Sequence, residues 1–187
     1  MDKDLVVRAQ HGDERAFESL TVTTYPRLFR VAQGILRDPT LAEDATQAAI
    51  VRIWQHVRQL RDPSKFESWS YRLLVNSCRD EARRAPGWTP IEALAPDSEP
   101  RTADSLGTIA DRDQLERGFR RLSVEHRAVI VLRHLLDLPL EQVGEALDIP
   151  VGTVGSRLNR AMASLRAALE ADARSSTRTA EPMGVVR

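Results

Sequence analysis

The sequence predicts an all-α protein: two small helical domains joined by a flexible linker, the C-terminal one a helix-turn-helix. Three observations carry this. Apolar residues recur at steps of three and four along most of the chain, the period of a helix face, and no alternating strand pattern or internal repeat rises above noise. The periodicity lapses once, from Pro86-Gly87 on, where Pro90, Pro96 and Pro100 stand among several acids. It resumes near Ile109 and closes on two helices joined by a tight turn, between residues 140 and 169. The expected limits are an N-terminal domain over 1–87, a linker over 88–108, a C-terminal domain over 109–172, and a polar, disordered tail over 173–187.

Leu5 to Gln10 reads as a short helix closed by Gly12. From Asp13 onward, Phe17, Leu20, Thr24, Leu28, Val31 and Ile35 mark a long amphipathic helix, which Pro26 should kink rather than end because the pattern resumes in register. Asp38-Pro39 marks a turn. Thr40-Leu-Ala-Glu43 then reads as a capping box, opening a helix with Leu41, Ala45, Ala49, Ile53 and Val57 inward. Ser64-Lys-Phe-Glu67 reads as a second capping box. The helix it opens runs to about Arg84, with Phe66, Trp69, Leu73, Leu74 and Cys78 apolar, while Arg72, Asn76, Arg79 and Arg83 line another face. Trp54, Trp69 and Phe66 are read as core residues.

Beyond the linker, Leu115, Phe119 and Leu122 continue a helical pattern, and Ser123 caps a helix carrying Val124, Ala128, Leu132, Leu135 and Leu136. Next comes the paired-helix stretch. In its first helix Val143 and Leu147 face inward, and Gly144 removes a side chain where two helices must approach. Asp148 suits a left-handed turn residue, and Pro150 cannot continue the first helix but can open the second. In the second helix Val151, Val154, Leu158, Ala161, Leu165 and Leu169 form one buried stripe. Ser156, Arg157, Asn159 and Arg160 fall off it. Arg and Asn are the side chains that pair with guanine and adenine edges, so this helix is suited to a DNA major groove. An ordinary helical hairpin with solvated arginines has the same periodicity.

Composition narrows the function classes. The 187 residues carry 27 basic and 27 acidic side chains, so the chain is no indiscriminate nucleic-acid coat, and DNA contacts must come from local patches. One cysteine, Cys78, excludes an internal disulfide and suits a reducing cytoplasm. No signal peptide is apparent at the charged N-terminus, and no apolar run approaches the roughly 20 residues of a membrane helix, so a cytoplasmic protein without membrane insertion is expected. His11, His56, His126 and His134 are scattered without metal-ligand spacing, Cys78 sits on an apolar helix face, and no glycine-rich phosphate loop is present. The expectation is no catalytic residue, no metal and no cofactor.

With both halves in view the chain resembles an extracytoplasmic-function sigma factor, the smallest kind of bacterial transcription-initiation subunit. The N-terminal residues carrying the resemblance are Ala16-Phe-Glu, Tyr25-Pro-Arg-Leu-Phe29, Ala42-Glu-Asp-Ala-Thr-Gln47, Arg52-Ile-Trp54, Phe66-Glu-Ser-Trp69 and the run from Asn76 to Arg84. The C-terminal motif is Pro150-Val-Gly-Thr-Val-Gly-Ser-Arg-Leu158.

The resemblance implies core RNA polymerase and promoter DNA as partners, and an anti-sigma factor as inhibitor. It places Asp44 and Gln47 on the polymerase clamp, Arg61, Lys65, Arg72, Asn76, Arg79 and Arg83 on the −10 element, and Thr153, Ser156, Arg157, Asn159 and Arg160 on the −35 element. Three departures stand out: Ala48 where the family usually has an acid, Gly155 where it often has a base, and Met162, Ala163 and Ser164 where bases are common. Ala48 implies one polymerase contact fewer, and Gly155 with Met162, Ala163 and Ser164 implies a thinner phosphate grip at −35. The alternative is a stand-alone helix-turn-helix repressor or activator, which would leave the N-terminal motifs without a role.

Overall fold

The computed structural model describes residues 3–85 and 109–179, with side chains placed in 3–85 and 113–171. The expected linker lies outside the described residues. Helix α1 (Lys3–Gln10) ends at Gly12, whose φ of +90° favours a residue without a β-carbon. Asp13 caps α2 (Glu14–Leu36) by accepting the Ala16 N–H at 3.0 Å, and Arg8 holds the same carboxylate at 2.7 Å. Pro26 sits inside α2 without ending it.

Both expected capping boxes are displaced. The cap of α3 (Pro39–His56) is Asp38, which accepts the N–H groups of Thr40 and Leu41 at 2.9 and 3.0 Å. Before α4 (Phe66–Arg84), Asp62 accepts the Ser64 N–H at 2.9 Å and opens a short 3-10 turn, Pro63–Lys65. The reason is shared. Proline fits the first helical position, so in Asp-Pro-Thr and Asp-Pro-Ser the aspartate takes the capping place two residues ahead of the hydroxyl.

In the second half α5 (Ile109–Arg120) is followed by α6 (Val124–Ile130), capped by Ser123 as expected. A wider π-type turn, Val131–Leu135, carries the chain to α7 (Leu140–Leu147) and α8 (Val151–Thr179). Because α8 is helical through Thr179, the expected disordered tail is corrected for 173–179, while 180–187 lie outside the described residues.

The halves do not stand apart. One continuous buried cluster contains Leu28, Val31 and Ile35 from α2 together with Val129, Val131 and Leu132 from beyond the linker. Gly34 makes that approach possible: a β-carbon there would lie 2.9 Å from Val131 Cγ2.

Four residues expected inside are exposed: Trp54, Leu115, Leu135 and Val151. Val151, at the first turn of α8, lies beside Gly144 of α7 on one side and keeps its other side in solvent. Tyr71, missed as a core residue, is buried on α4 with the Arg27 guanidinium over its ring at 5.6 Å.

Candidate nucleic-acid interface

Helix α3 presents a mixed outward stripe. Asp44 and Gln47 are exposed as expected, and the same face continues at steps of four and three to Val51 and Trp54, both exposed. Trp54 rests edge-on against Phe17, ring centroids 4.6 Å apart, leaving its other side to solvent. The signal that sequence reasoning missed was register: 44, 47, 51 and 54 share one face, so a tryptophan following two polar residues on it belongs outside.

The cations assigned to −10 reading run from the loop before α4 along that helix. Arg61 and Lys65 are exposed, as are Asn76 and Arg83. Arg83 pairs with Asp80 at 3.5 Å, and Arg52 of α3 holds the same Asp80 at 2.6 Å, fixing α4 against α3. Three of these cations, Lys65, Arg72 and Arg79, meet acids of the C-terminal half. Lys65 Nζ donates to Glu145 at 2.5 Å and Ser68 Oγ donates to its other oxygen at 2.9 Å. Arg72 faces Asp148 at 3.8 Å, and Arg79, its side chain only 19% exposed, lies 3.6 Å from Glu125. The shared hydrogen bond raises the Lys65 pKa and lowers that of Glu145, each charge favouring the other. A cleft of about 360 Å³, lined by Arg61, Lys65, Trp69, Arg72, Glu145 and Asp148, remains where the two halves meet.

The helix-turn-helix forms as its residues demand. Asp148 adopts the left-handed conformation (φ 57°), its N–H returning to Gly144, and Gly144 lies against the turn backbone. On α8, Ser156, Asn159 and Arg160 are exposed and Thr153 is half-buried. Ser156 Oγ donates to the Thr153 carbonyl, and Arg160 Nε reaches the Ser156 carbonyl at 3.4 Å. Arg157, expected on the open side, is half-buried instead. It faces Arg79 and Glu125, and its burial first, then the Arg79 charge, lower its pKa. Glu125 thus stands near an arginine from each candidate reading helix.

Two sequence patterns match: Sigma-70 region 2 over residues 21–86, and Sigma-70, region 4 over residues 118–167. The first spans most of α2 through α4, and the second contains the helix-turn-helix. Over 162 residues the chain is 35% identical to an RNA polymerase sigma-E factor of Streptomyces avermitilis, covering 86% of this chain and 88% of that protein. The chain belongs to the extracytoplasmic-function sigma factors. It is therefore a promoter-recognising transcription-initiation factor. It is also 32% identical over 166 residues to ECF sigma factor SigM of Mycobacterium tuberculosis, covering 88% of this chain and 82% of that one. Among solved structures, CnrH in complex with the cytosolic domain of CnrY shares the fold, with a TM-score of 0.67 at 24% identity over 91% of this chain and 98% of that one. No helix among the described residues is long and apolar enough to cross a membrane.

Proposed function

We propose that this sigma factor divides promoter reading between its halves as the sequence motifs suggest. Asp44 and Gln47, with Val51 and Trp54 beside them, dock on core RNA polymerase. Arg61, Lys65, Arg72, Asn76, Arg79 and Arg83 take the −10 element, phosphates by the cations and a base edge by the amide. Thr153, Ser156, Arg157, Asn159 and Arg160 take the −35 element in the major groove. The observation that supports this reading is that α4 and the first half of α8, each inside one of the two matched sigma regions, leave Asn76 and Arg83 and Ser156, Asn159 and Arg160 exposed.

The factor works by binding and positioning and performs no covalent chemistry of its own. Cys78 fits that reading: it is fully buried and its thiol is pushed up to about 12 by burial, the opposite of a nucleophile. We further propose a cytoplasmic location and control by an anti-sigma factor, as for the sigma factor RpoE of Bartonella quintana, solved with the anti-sigma factor NepR.

Run-off transcription with core polymerase on a promoter library tests the whole assignment. Specific initiation should need both elements. It should fall with Arg79→Ala on promoters that depend on −10, and with Arg160→Ala on those that depend on −35. Specific binding of duplex promoter DNA by the free protein, unaffected by polymerase, would instead favour the stand-alone regulator.

A further inference from the structure

We propose that α1 braces the loop that reads the −10 element, with Gln10 as its positioning residue. This rests on the assignment of Arg61 and Lys65 to −10 DNA. Helix α1 lies ahead of the matched region 2, which begins at residue 21. It is nonetheless built into the domain, with Val6 and Ala9 buried. At its last residue the Gln10 amide nitrogen donates to the Val57 carbonyl at 3.1 Å and to the Leu60 carbonyl at 2.6 Å. Two carbonyls facing one amide can be met only by its nitrogen, which has a hydrogen for each.

The two carbonyls bracket the segment that leads into Arg61. Val57–Gln59 is the 3-10 turn that ends α3, and Leu60 then becomes extended, with φ −70° and ψ 108°. The Leu60 carbonyl belongs to the planar peptide that joins Leu60 to Arg61, so a bond to it fixes the direction in which the exposed Arg61 leaves the chain. From there Asp62 caps the short turn that carries Lys65. A second contact acts on the same turn. The Arg58 guanidinium lies across Gly12, where a β-carbon would come within 2.9 Å of Nη2. The end of α1 thus holds the turn at Arg58 as well as at Val57 and Leu60. An unbraced loop would let its exposed cations sample many directions, and DNA binding would have to remove that freedom. Removing the brace should therefore harm −10 reading and spare the contacts made by α3 and α8.

Gln10→Glu keeps the shape of the side chain but turns a carboxylate on the two carbonyls, whereas Gln10→Lys keeps a donor of comparable reach. Holoenzyme is assembled from core polymerase and each full-length variant. Permanganate reactivity of −10 thymines, on a promoter recovered by run-off transcription, then reads strand opening. Gln10→Glu should lower opening several-fold while core-polymerase affinity stays that of the wild type, and Gln10→Lys should recover most of the loss. In an Arg61→Ala background Gln10→Glu should add little, because the brace acts through that residue. If Gln10→Glu opens the promoter as the wild type does, while Arg61→Ala remains defective, the brace is overturned and the DNA assignment stands. If polymerase affinity, thermal stability and opening fall together, or the loss adds in full to that of Arg61→Ala, Gln10 serves the fold alone and the brace is again overturned. If Arg61→Ala and Lys65→Ala both open the promoter normally, the assignment itself fails and the brace with it.

Discussion

Gly144 and Ile149 meet so closely that a β-carbon on the glycine would lie 2.9 Å from the isoleucine carbonyl oxygen. The Ile149 N–H meanwhile donates to the Gly144 carbonyl at 3.0 Å, so the turn is fixed from both sides. Gly144→Ala must push backbone, not a flexible side chain, and should cost about 1–3 kcal/mol, the usual cost of overpacking. Gly155→Ala meets nothing within 4 Å and should stabilise α8 by up to about 1 kcal/mol. Thermal unfolding of the two variants should move in opposite directions.

The two displaced caps make a second contrast. Asp38→Ala removes the acceptor for two backbone N–H groups and should cost about 1 kcal/mol, whereas Thr40→Ala should be nearly neutral. Denaturant midpoints of the two variants check this, and a larger effect at Thr40 would restore the capping box.

These caps also show where sequence reasoning reached its limit. The helices, the Asp148 turn and the close approach at Gly144 were legible because they follow from local rules of period, conformation and side-chain size. The exposed Asp44 and Gln47 were legible for the same reason. The Arg72–Arg79 face was legible as a basic stripe but not as a covered one. Glu125, Glu145 and Asp148 lie far along the chain, and no local period tells a helix which distant acids will face it. Arg157 was misplaced for that reason, since its face is free on an isolated α8 and half-covered once α4 and α6 arrive. Trp54 was misjudged on residue type when its register with Asp44 already placed it outward.

On α3, Asp44→Arg with Gln47→Ala should weaken core-polymerase binding and leave the helical circular dichroism unchanged, because neither side chain packs inward. Trp54 gives an independent reading. It is 43% exposed, so its emission should shift to the blue as polymerase covers it. Unchanged affinity in the double variant would remove the clamp assignment from these positions.

For −35 recognition, Arg160 is exposed while Arg157 is half-covered near Glu125, so their losses should differ. The one touching a base edge should contribute about 1–3 kcal/mol of discrimination between promoter sequences. The other should weaken all sequences alike and reduce the salt slope by about one. Holoenzyme binding across a salt series, for Arg157→Ala and Arg160→Ala, separates the two roles. Equal, sequence-independent losses would mean that neither reads a base.

Cys78 predicts a pH effect with a definite sign. Burial raises its thiol from 9.0 to about 12, so the folded protein keeps the proton over a range in which the unfolded chain loses it. That contribution to stability is fully present below pH 9.0 and declines as pH rises toward 12. Thiol reagents should leave the native protein unmodified at neutral pH and label it only on unfolding. Removing the thiol by Cys78→Ala should flatten the alkaline part of the stability curve, whatever its cost in packing.

The fit of Gly34 beneath Val131 and Leu135 bears on how such factors can diversify. Two halves that recognise separate promoter elements look interchangeable, and exchanging them would be a quick route to new specificities. Here each half carries part of the other's shape: a missing side chain on α2, and acids on α6 and α7 matched to α4. A chimera joining this N-terminal half to another C-terminal half would inherit a space and a set of charges made for a different partner. Substitutions on the exposed faces of α4 and α8 leave that space and those charges in place, so they should disturb the fold less than exchanging a whole half.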